Sequence, residues 1–408
     1  MADLPSKYTT GIAKAEGTVI GEHNTIYQYF AQPQHARVAD KHLGYQAFIS
    51  SKTDRFVGRK FVFDTFDRFL TKNRSGYFLI FGEPGIGKSA LAAQLVKTRG
   101  YPHHFNIAQQ NIRTPRQFLS NACAQVIARY QLEHDSIPED ATEDSNFLVQ
   151  CLHEAASKPE NRPVVLVVDA LDESERFNLP ARANTLFLPP DLPDGVFIFL
   201  TSRPLDNPRL QVTNQASLYL EPDSDANLKD IRAYIENFVK SDQIALDRIS
   251  KWGVSMQFFI DTLTGTLAKK SEGNFIYLYF ILPVISQEGY RKDSVEELPQ
   301  GLKGYYLSHW EQMQISGPVE FDELYAPVVC ILAVAREPVT VSQLNKWTRK
   351  DANRIRRAIA QWRELLEIDK SSEEDRFRLY HTSFQDFLKQ TVRLKQYDEI
   401  IVRYYTER

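Results

Sequence analysis

Cysteine is scarce and scattered in this sequence. Cys123, Cys151 and Cys330 are the only three in 408 residues. They form no close-spaced pair for a metal and no clustered framework that would staple a small secreted fold. Buried thiols in a reducing cytoplasm are the expectation. Charge excess is also missing: the formal net charge is −3, so no global basic field draws the chain to nucleic acid, although such a sum leaves local patches open. No uninterrupted apolar run approaches the ~18 residues of a membrane-spanning helix. The start Met1-Ala2-Asp3-Leu4-Pro5 lacks the charged-then-apolar pattern of a signal peptide. A soluble cytoplasmic protein without a membrane partner is expected. What the chain does have is 43% hydrophobic residues, enough for real cores in two or three domains.

The most informative segment is Gly82-Glu83-Pro84-Gly85-Ile86-Gly87-Lys88-Ser89. It follows the apolar run Tyr77 to Phe81 and precedes the helix-like Ala90 to Val96. Glycines let the backbone curl so that successive N–H groups point inward at phosphate oxygens, while the following helix offers its positive end. In that context Lys88 reaches the β- and γ-phosphates of a nucleotide and Ser89 a magnesium ion.

Between residues 77 and 221 strand-like runs alternate with helical patterns, as in a parallel sheet covered by helices on both faces. Strands are expected at Tyr77 to Phe81, His104 to Ile107, Val164 to Asp169, Phe197 to Thr201 and Ser217 to Leu220, with helices at Pro115 to Gln131 and Ser145 to Ser157. After Glu221 the pattern turns helical: Asp225 to Val239, Val254 to Ala268, Gly273 to Ser286 and Gly301 to Met313. From Phe321 onward, helices at Tyr325 to Val334, Thr340 to Trp347 and Asp351 to Leu366 precede a hairpin through Ile368 and Arg376 to Tyr380, the layout of a winged helix. The expected division is an N-terminal segment 1–50 with a short β-hairpin around residues 17–30, a nucleotide-binding domain 51–222, a helical domain 223–317, a winged-helix domain 318–395 and a C-terminal helix 396–408.

Val164 to Asp169 is a buried strand ending in the carboxylate expected to orient magnesium, and Asp172 and Glu173 follow closely enough to position or deprotonate an attacking water. The strand ending Thr201-Ser202-Arg203-Pro204 faces the same crevice, where Arg203 could sense a γ-phosphate.

Phe56-Val57-Gly58-Arg59, the phosphate loop, Asp169-Ala170-Leu171-Asp172-Glu173 and Thr201-Ser202-Arg203-Pro204, in this order, resemble the NACHT branch of the STAND signalling NTPases. The resemblance runs on through Gly273-Asn274-Phe275, Glu297 to Leu302 and Tyr380-His381-Thr382-Ser383-Phe384-Gln385-Asp386-Phe387-Leu388. It implies that a nucleotide-binding domain, a helical domain and a winged helix close together on ADP, and that exchange for ATP opens them and promotes self-association. On that likeness Phe56, Val57 and Gly58 lie against the base, and Gly82, Glu83, Pro84, Gly85, Ile86, Gly87, Lys88, Ser89 and Ala90 hold the phosphates. Ser89 and Asp169 organise Mg2+, and His381 reaches the ADP β-phosphate in the closed state. Related proteins often carry proline after the helical-domain glycine where this chain has Asn274, which leaves the base contact and the choice of ATP over GTP open. Neither C-terminal sensor repeats nor an N-terminal effector is expected within these residues, so sensing and output fall to a larger protein or to partners.

The leading expectation is thus a slow ATP/ADP switch in defence or stress signalling. The alternative is an AAA+-like DNA-associated ATPase whose third winged-helix helix, with Arg354, Arg356, Arg357 and Arg363, enters DNA. A third reading is a scaffold that holds nucleotide for stability alone.

Overall fold

The computed structural model describes residues 42–175, 179–180, 182–204, 209–242, 256–285, 294–370 and 373–406. The hairpin expected around residues 17–30 lies outside the described residues. Two helices lead in, α1 (Gln46–Thr53) and α2 (Lys60–Lys72). The following strands and helices alternate: β1 (Gly76–Gly82), α3 (Lys88–Arg99), β2 (His103–Phe105), α4 (Pro115–Tyr130), α5 (Asn146–Ser157), β3 (Val164–Asp169), β4 (Val196–Ser202) and β5 (Gln215–Leu220). The strands form one five-stranded sheet in the order β2-β3-β4-β1-β5, and every pairing is parallel.

Alternation along the strands divides the sheet's side chains between two layers. Tyr77, Leu79, Leu166, Val168, Ile198 and Leu200 pack on α4 and α5, with Phe118, Val126, Leu148 and Leu152 among the covering residues. Phe78, Ile80, Val165, Val167, Phe197 and Phe199 pack on the opposite layer, with Phe66 of α2 and Leu91 and Leu95 of α3. Because both faces are covered, β3 and β4 are buried at every residue and read as continuous apolar runs. The helix start at Pro115 is local chemistry: the Thr114 hydroxyl accepts from the Gln117 N–H, the Gln117 side chain reaches back, and proline occupies the first turn. This all serves to bring the carboxyl ends of β1, β3 and β4 to one crevice.

The helical part contains α6 (Asp225–Ser241), α7 (Met256–Lys270), α8 (Phe275–Ile285) and α9 (Gly301–Ser316). Beyond it come α10 (Ala326–Val334), β6 (Val339–Thr340), α11 (Val341–Thr348), α12 (Ala352–Gln361), β7 (Leu366–Asp369), β8 (Arg376–Leu379), α13 (Thr382–Thr391) and α14 (Lys395–Thr406). The three short strands make an antiparallel sheet in the order β6-β8-β7. The helix expected to run from Asp351 to Leu366 ends earlier. Trp362 leaves helical geometry, Arg363–Leu365 is a single tight turn, and Leu366 already begins β7. Buried residues from Ile231 of α6 to Leu388 of α13 form one continuous apolar cluster, so both C-terminal parts share a core. No helix among the described residues is long and apolar enough to cross a membrane.

Trp362 sits at the centre of that core, fully buried, with its indole N–H donating to the Tyr325 carbonyl at 2.8 Å. Trp362→Ala should lower the stability of the C-terminal part by about 3–5 kcal/mol. Urea unfolding followed by far-UV dichroism measures it, and a loss under about 1 kcal/mol would show that the site collapses around the smaller side chain.

Candidate functional site

A cavity of about 1010 Å³ opens where the carboxyl ends of the parallel strands meet the helical and C-terminal parts. The phosphate loop forms its floor. Gly85 and Gly87 take left-handed backbone, φ 87° and 97°, which curls the loop into α3. The first N–H groups of that helix have no intrahelical partner by geometry. The Lys88 ammonium donates to the Gly82 and Glu83 carbonyls at 2.7 and 3.1 Å. Burial pushes its pKa down, opposed chiefly by Asp172 and Asp169. Pro84, Gly85, Gly87, Lys88, Ser89 and Ala90 line the cavity. The remaining loop residues do not: Ile86 is buried against the sheet, Glu83 faces a separate cleft on the other side with Lys269 and Glu272, and Gly82 packs between Ile86 and Leu220.

The acids are differentiated by their partners. Asp169, at the end of β3, accepts from the Thr201 hydroxyl, which also accepts from the Ala170 N–H at 2.9 Å. Its second oxygen is buried without a hydrogen-bond partner. Burial raises the Asp169 pKa, and the Thr201 and Ser89 hydroxyls and the Lys88 charge pull it back. A buried carboxylate oxygen without a partner, on a residue that lines the phosphate-loop cavity with Ser89, suits Mg2+, which takes few protein ligands and completes its shell with phosphate oxygens and water. Ala170 then adopts φ 54°, which costs about 1–2 kcal/mol for a non-glycine residue and turns Asp172 and Glu173 back to the cavity wall.

Asp172 is committed to Arg203: it accepts the Arg203 backbone N–H at 2.9 Å and pairs with the guanidinium Nε at 3.0 Å. Among the described residues Glu173 accepts one hydrogen bond, from the Ala108 N–H at 3.1 Å. Burial raises its pKa to about 7, with the neighbouring Asp172 charge adding to the shift and the Ala108 bond opposing it. Of the two acids, Glu173 is the one poised to exchange a proton near neutral pH.

Arg203 also reaches across to the C-terminal part. Its Nη1 meets Asp386 at 2.5 Å and its Nη2 donates to the Thr382 hydroxyl at 2.6 Å. His381 caps α13, and its Nδ1 accepts the Ser383 N–H at 3.2 Å, with the Ser383 hydroxyl at 2.7 Å. That acceptance places the neutral ring's proton on Nε2. Burial, then the charges of Lys52, Arg203 and Lys88, push the His381 pKa well below its ordinary value. His381 and Thr382 both line the cavity.

At the other end Phe56 and Val57 line the cavity with Tyr234, Phe275 and Ile276. Gly58 does not line it. Its φ is 73° and a Cβ there would stand 2.0 Å from an Asp230 carboxylate oxygen, so the missing side chain leaves room for α6. Arg59, given no role by its sequence context, is buried. Its N–H donates to Asp230 at 2.9 Å, its Nη2 donates to the Ile86 carbonyl of the phosphate loop, and its guanidinium lies 4.9 Å from the Phe275 ring centroid. Asn274 stands where related sequences carry proline and binds the loop directly. Its amide donates to the Pro84 carbonyl at 2.8 Å, and the Phe275 N–H donates to the Gly85 carbonyl at 3.0 Å. Sequence reading missed Arg59, Asp230 and Asp386 because only the fold reveals their pairings. Arg59 and Asp386 did lie inside motifs already singled out.

The arginines of α12 face acids of their own neighbourhood. Arg354 lies 3.9 Å from both Glu320 and Glu323, Arg357 lies 3.9 Å from Glu320, and Arg356 donates to Asn353 at 3.3 Å. Arg363 lies beyond the helix and donates to the Leu366 carbonyl.

Residues 55–193 match the family described as the AAA ATPase domain. With the all-parallel sheet and the phosphate loop at the end of β1, this makes the region an α/β P-loop NTPase fold, a class that binds nucleotide, usually with Mg2+. The match takes in the loop and the Asp169 acids but not Arg203, Asn274 or His381. No curated protein matches the sequence. Among solved structures, a STAND protein with a tetratricopeptide repeat sensor from Pyrococcus horikoshii is 14% identical with a TM-score of 0.41, over 86% of this chain and 44% of that one. The chain therefore spans less than half the length of that protein. A chain from the structure of Drosophila ORC bound to DNA is 12% identical with a TM-score of 0.33, over 86% of this chain and 100% of that one. A Thermotoga maritima RuvB mutant is 14% identical with a TM-score of 0.31, over 84% and 98%.

Because the Glu173 carboxyl titrates at about 7, its base form is present above that pH and lost below it. ATP hydrolysis should therefore climb as pH rises through about 7, whereas Glu173→Gln should be slower and flat across the same range while still binding nucleotide. Phosphate release measured from pH 5.5 to 8.5 decides it, and an unchanged profile in the variant removes Glu173 from the chemistry.

Proposed function

We propose that the chain is an ATP/ADP-operated signalling switch of the NACHT-type STAND class, with slow magnesium-dependent hydrolysis. The observation that carries this reading is that one cavity is walled at once by the phosphate loop, by Tyr234, Phe275 and Ile276 of the helical part, and by His381 and Thr382 of the C-terminal part. A ligand on the loop therefore bears on all three. In this reading the last part is a winged helix, built from α10, α11 and α12 with the β6-β8-β7 sheet.

Each residue then has a task. Phe56, Val57 and Phe275 bound the base end, and the loop N–H groups with Lys88 hold the phosphates. Ser89 and Asp169 would hold Mg2+, which would supply neutralising charge to the phosphate oxygens. Glu173 takes a proton from water. His381 donates from Nε2, which suits a phosphate oxygen as acceptor and ties the winged helix to the ligand. Arg203, already shared between Asp172 and Asp386, loses one of those anions only if another replaces it, so a γ-phosphate beside it competes with closure. Without an optimised catalytic arginine, turnover on the order of 10⁻⁴ per second is the scale of such a timer. Self-association on opening, protein partners for sensing and output, and a defence or stress role belong to the same reading. The pairing of Arg354 and Arg357 with Glu320 and Glu323 speaks against a DNA-recognition role for α12.

The test compares affinities. Lys88→Ala should abolish retention of both nucleotides, and His381→Ala should weaken ADP more than a non-hydrolysable ATP analogue, read by displacement of a fluorescent nucleotide. Unchanged binding in Lys88→Ala removes the nucleotide assignment, and equal losses in His381→Ala remove the latch.

A further inference from the structure

Lys52 stands in the last turn of α1, before the segment that matches any ATPase motif, yet its side chain lines the same cavity as the phosphate loop. Its ammonium lies 5.1 Å from the Tyr380 ring centroid and 5.5 Å from that of Phe48, held between two aromatic faces. It forms no salt bridge among the described residues. Glu367 is the carboxylate that bears on it most, and that group is occupied by Arg378, which approaches it at 2.8 and 3.1 Å through two nitrogens. The remaining acids it senses, Asp169 and Glu173, are committed to the site chemistry. His381 lines the same cavity, and its ring feels Lys52 ahead of Arg203 and Lys88. Burial pushes the Lys52 pKa down, the direction expected of a cation placed without an anion of its own.

We propose that Lys52 is a further phosphate-contacting residue, a cation supplied in cis from α1 that touches the γ-phosphate of a nucleoside triphosphate. This rests on the nucleotide reading of the site. The assignment to the γ-phosphate rests on the shared cavity: that phosphate lies between the loop lysine, the metal acid and the water-positioning acid, and Lys52 lines the same cavity as Lys88, Asp169 and Glu173 and feels the charge of both acids. The aromatic cage gives the residue a second property. Phe48 belongs to α1 and Tyr380 directly precedes His381, so the same ammonium is held by the two surfaces that separate when the C-terminal part moves away. A γ-phosphate offers it a full negative charge in exchange for the face of Tyr380.

Lys52→Met keeps the aliphatic packing between the rings and removes the charge. The measurement is the affinity of the full chain, with Mg2+, for ADP and for a non-hydrolysable ATP analogue, with Lys88→Ala and Lys52→Arg alongside. The expected result is a loss of roughly tenfold or more for the triphosphate analogue, the scale of one charge-assisted hydrogen bond, with ADP affinity held within about twofold and recovery in Lys52→Arg. Equal losses for both nucleotides, or no loss for either, overturn the proposal. Binding that survives in Lys88→Ala instead overturns the nucleotide reading beneath it. A thermal melt of nucleotide-free Lys52→Met completes the test: a lowered midpoint with unaltered discrimination between the nucleotides assigns Lys52 to packing alone and overturns the proposal as well.

Discussion

The arrangement depends on one buried guanidinium. Arg59 is almost without solvent contact, and taking such a charge out of water is tolerated only where partners surround it. Its partners come from three separate places in the sequence: Asp230 of α6, the Ile86 carbonyl in the phosphate loop, and the ring of Phe275 at the start of α8. Burial depresses its pKa to about 10, with Asp230 opposing the shift, so the residue stays charged at any physiological pH. A group of this kind fixes geometry more than it adds stability. It dictates where the helical part docks and, through Ile86, the shape of the loop that would receive phosphate.

Cations, rather than acids, dominate the centre of the cavity. Burial first, and then the charges of Lys52, Arg203 and Lys88, push the His381 pKa well down, which favours a neutral ring whose Nε2 is a hydrogen-bond donor. A protonated histidine would add a fourth positive charge to a desolvated space. The acids answer this field unequally: Asp172 is paired with Arg203, Asp169 is steadied by Thr201, and Glu173 has its pKa pushed up to about 7 by burial. Similar side chains thus acquire different work from their neighbours alone.

The elements were legible in the sequence where local signals were strong. The inner strands β1, β3 and β4 fall where apolar runs predicted them, because a strand covered on both faces must be apolar throughout, while the edge strands β2 and β5 lie within two residues of their expected bounds. The Thr114-Pro115 start of α4 is set by capping chemistry that any reader of the sequence can see. The end of α12 was not legible, since the residues after Gln361 favour a helix until Trp362 is drawn into the shared core. The loop lysine and the acid at the end of β3 were singled out from context, and both line the one cavity. The Arg59–Asp230 and Arg203–Asp386 pairs were not, because their partners are distant in the chain and charge alone does not specify which opposite charge will be near. Gly58 was placed against a ligand by motif, whereas its missing Cβ leaves room for Asp230.

The same logic of missing atoms applies to Gly85. A Cβ there would stand 2.4 Å from the Asn274 side chain, at a φ of 87° that already disfavours other residues. The space beneath the loop is therefore spoken for by the helical part, and the glycine is as much a docking socket as a bend. An alanine at this position would dislodge a neighbour and misshape the loop in one stroke, so a phenotype from it could not be assigned to lost ligand contact. Lys88, whose ammonium donates to the loop's own Gly82 and Glu83 carbonyls and lines the cavity, makes no contact with Asn274 among the hydrogen bonds of the described residues and is the cleaner position for testing ligand contact.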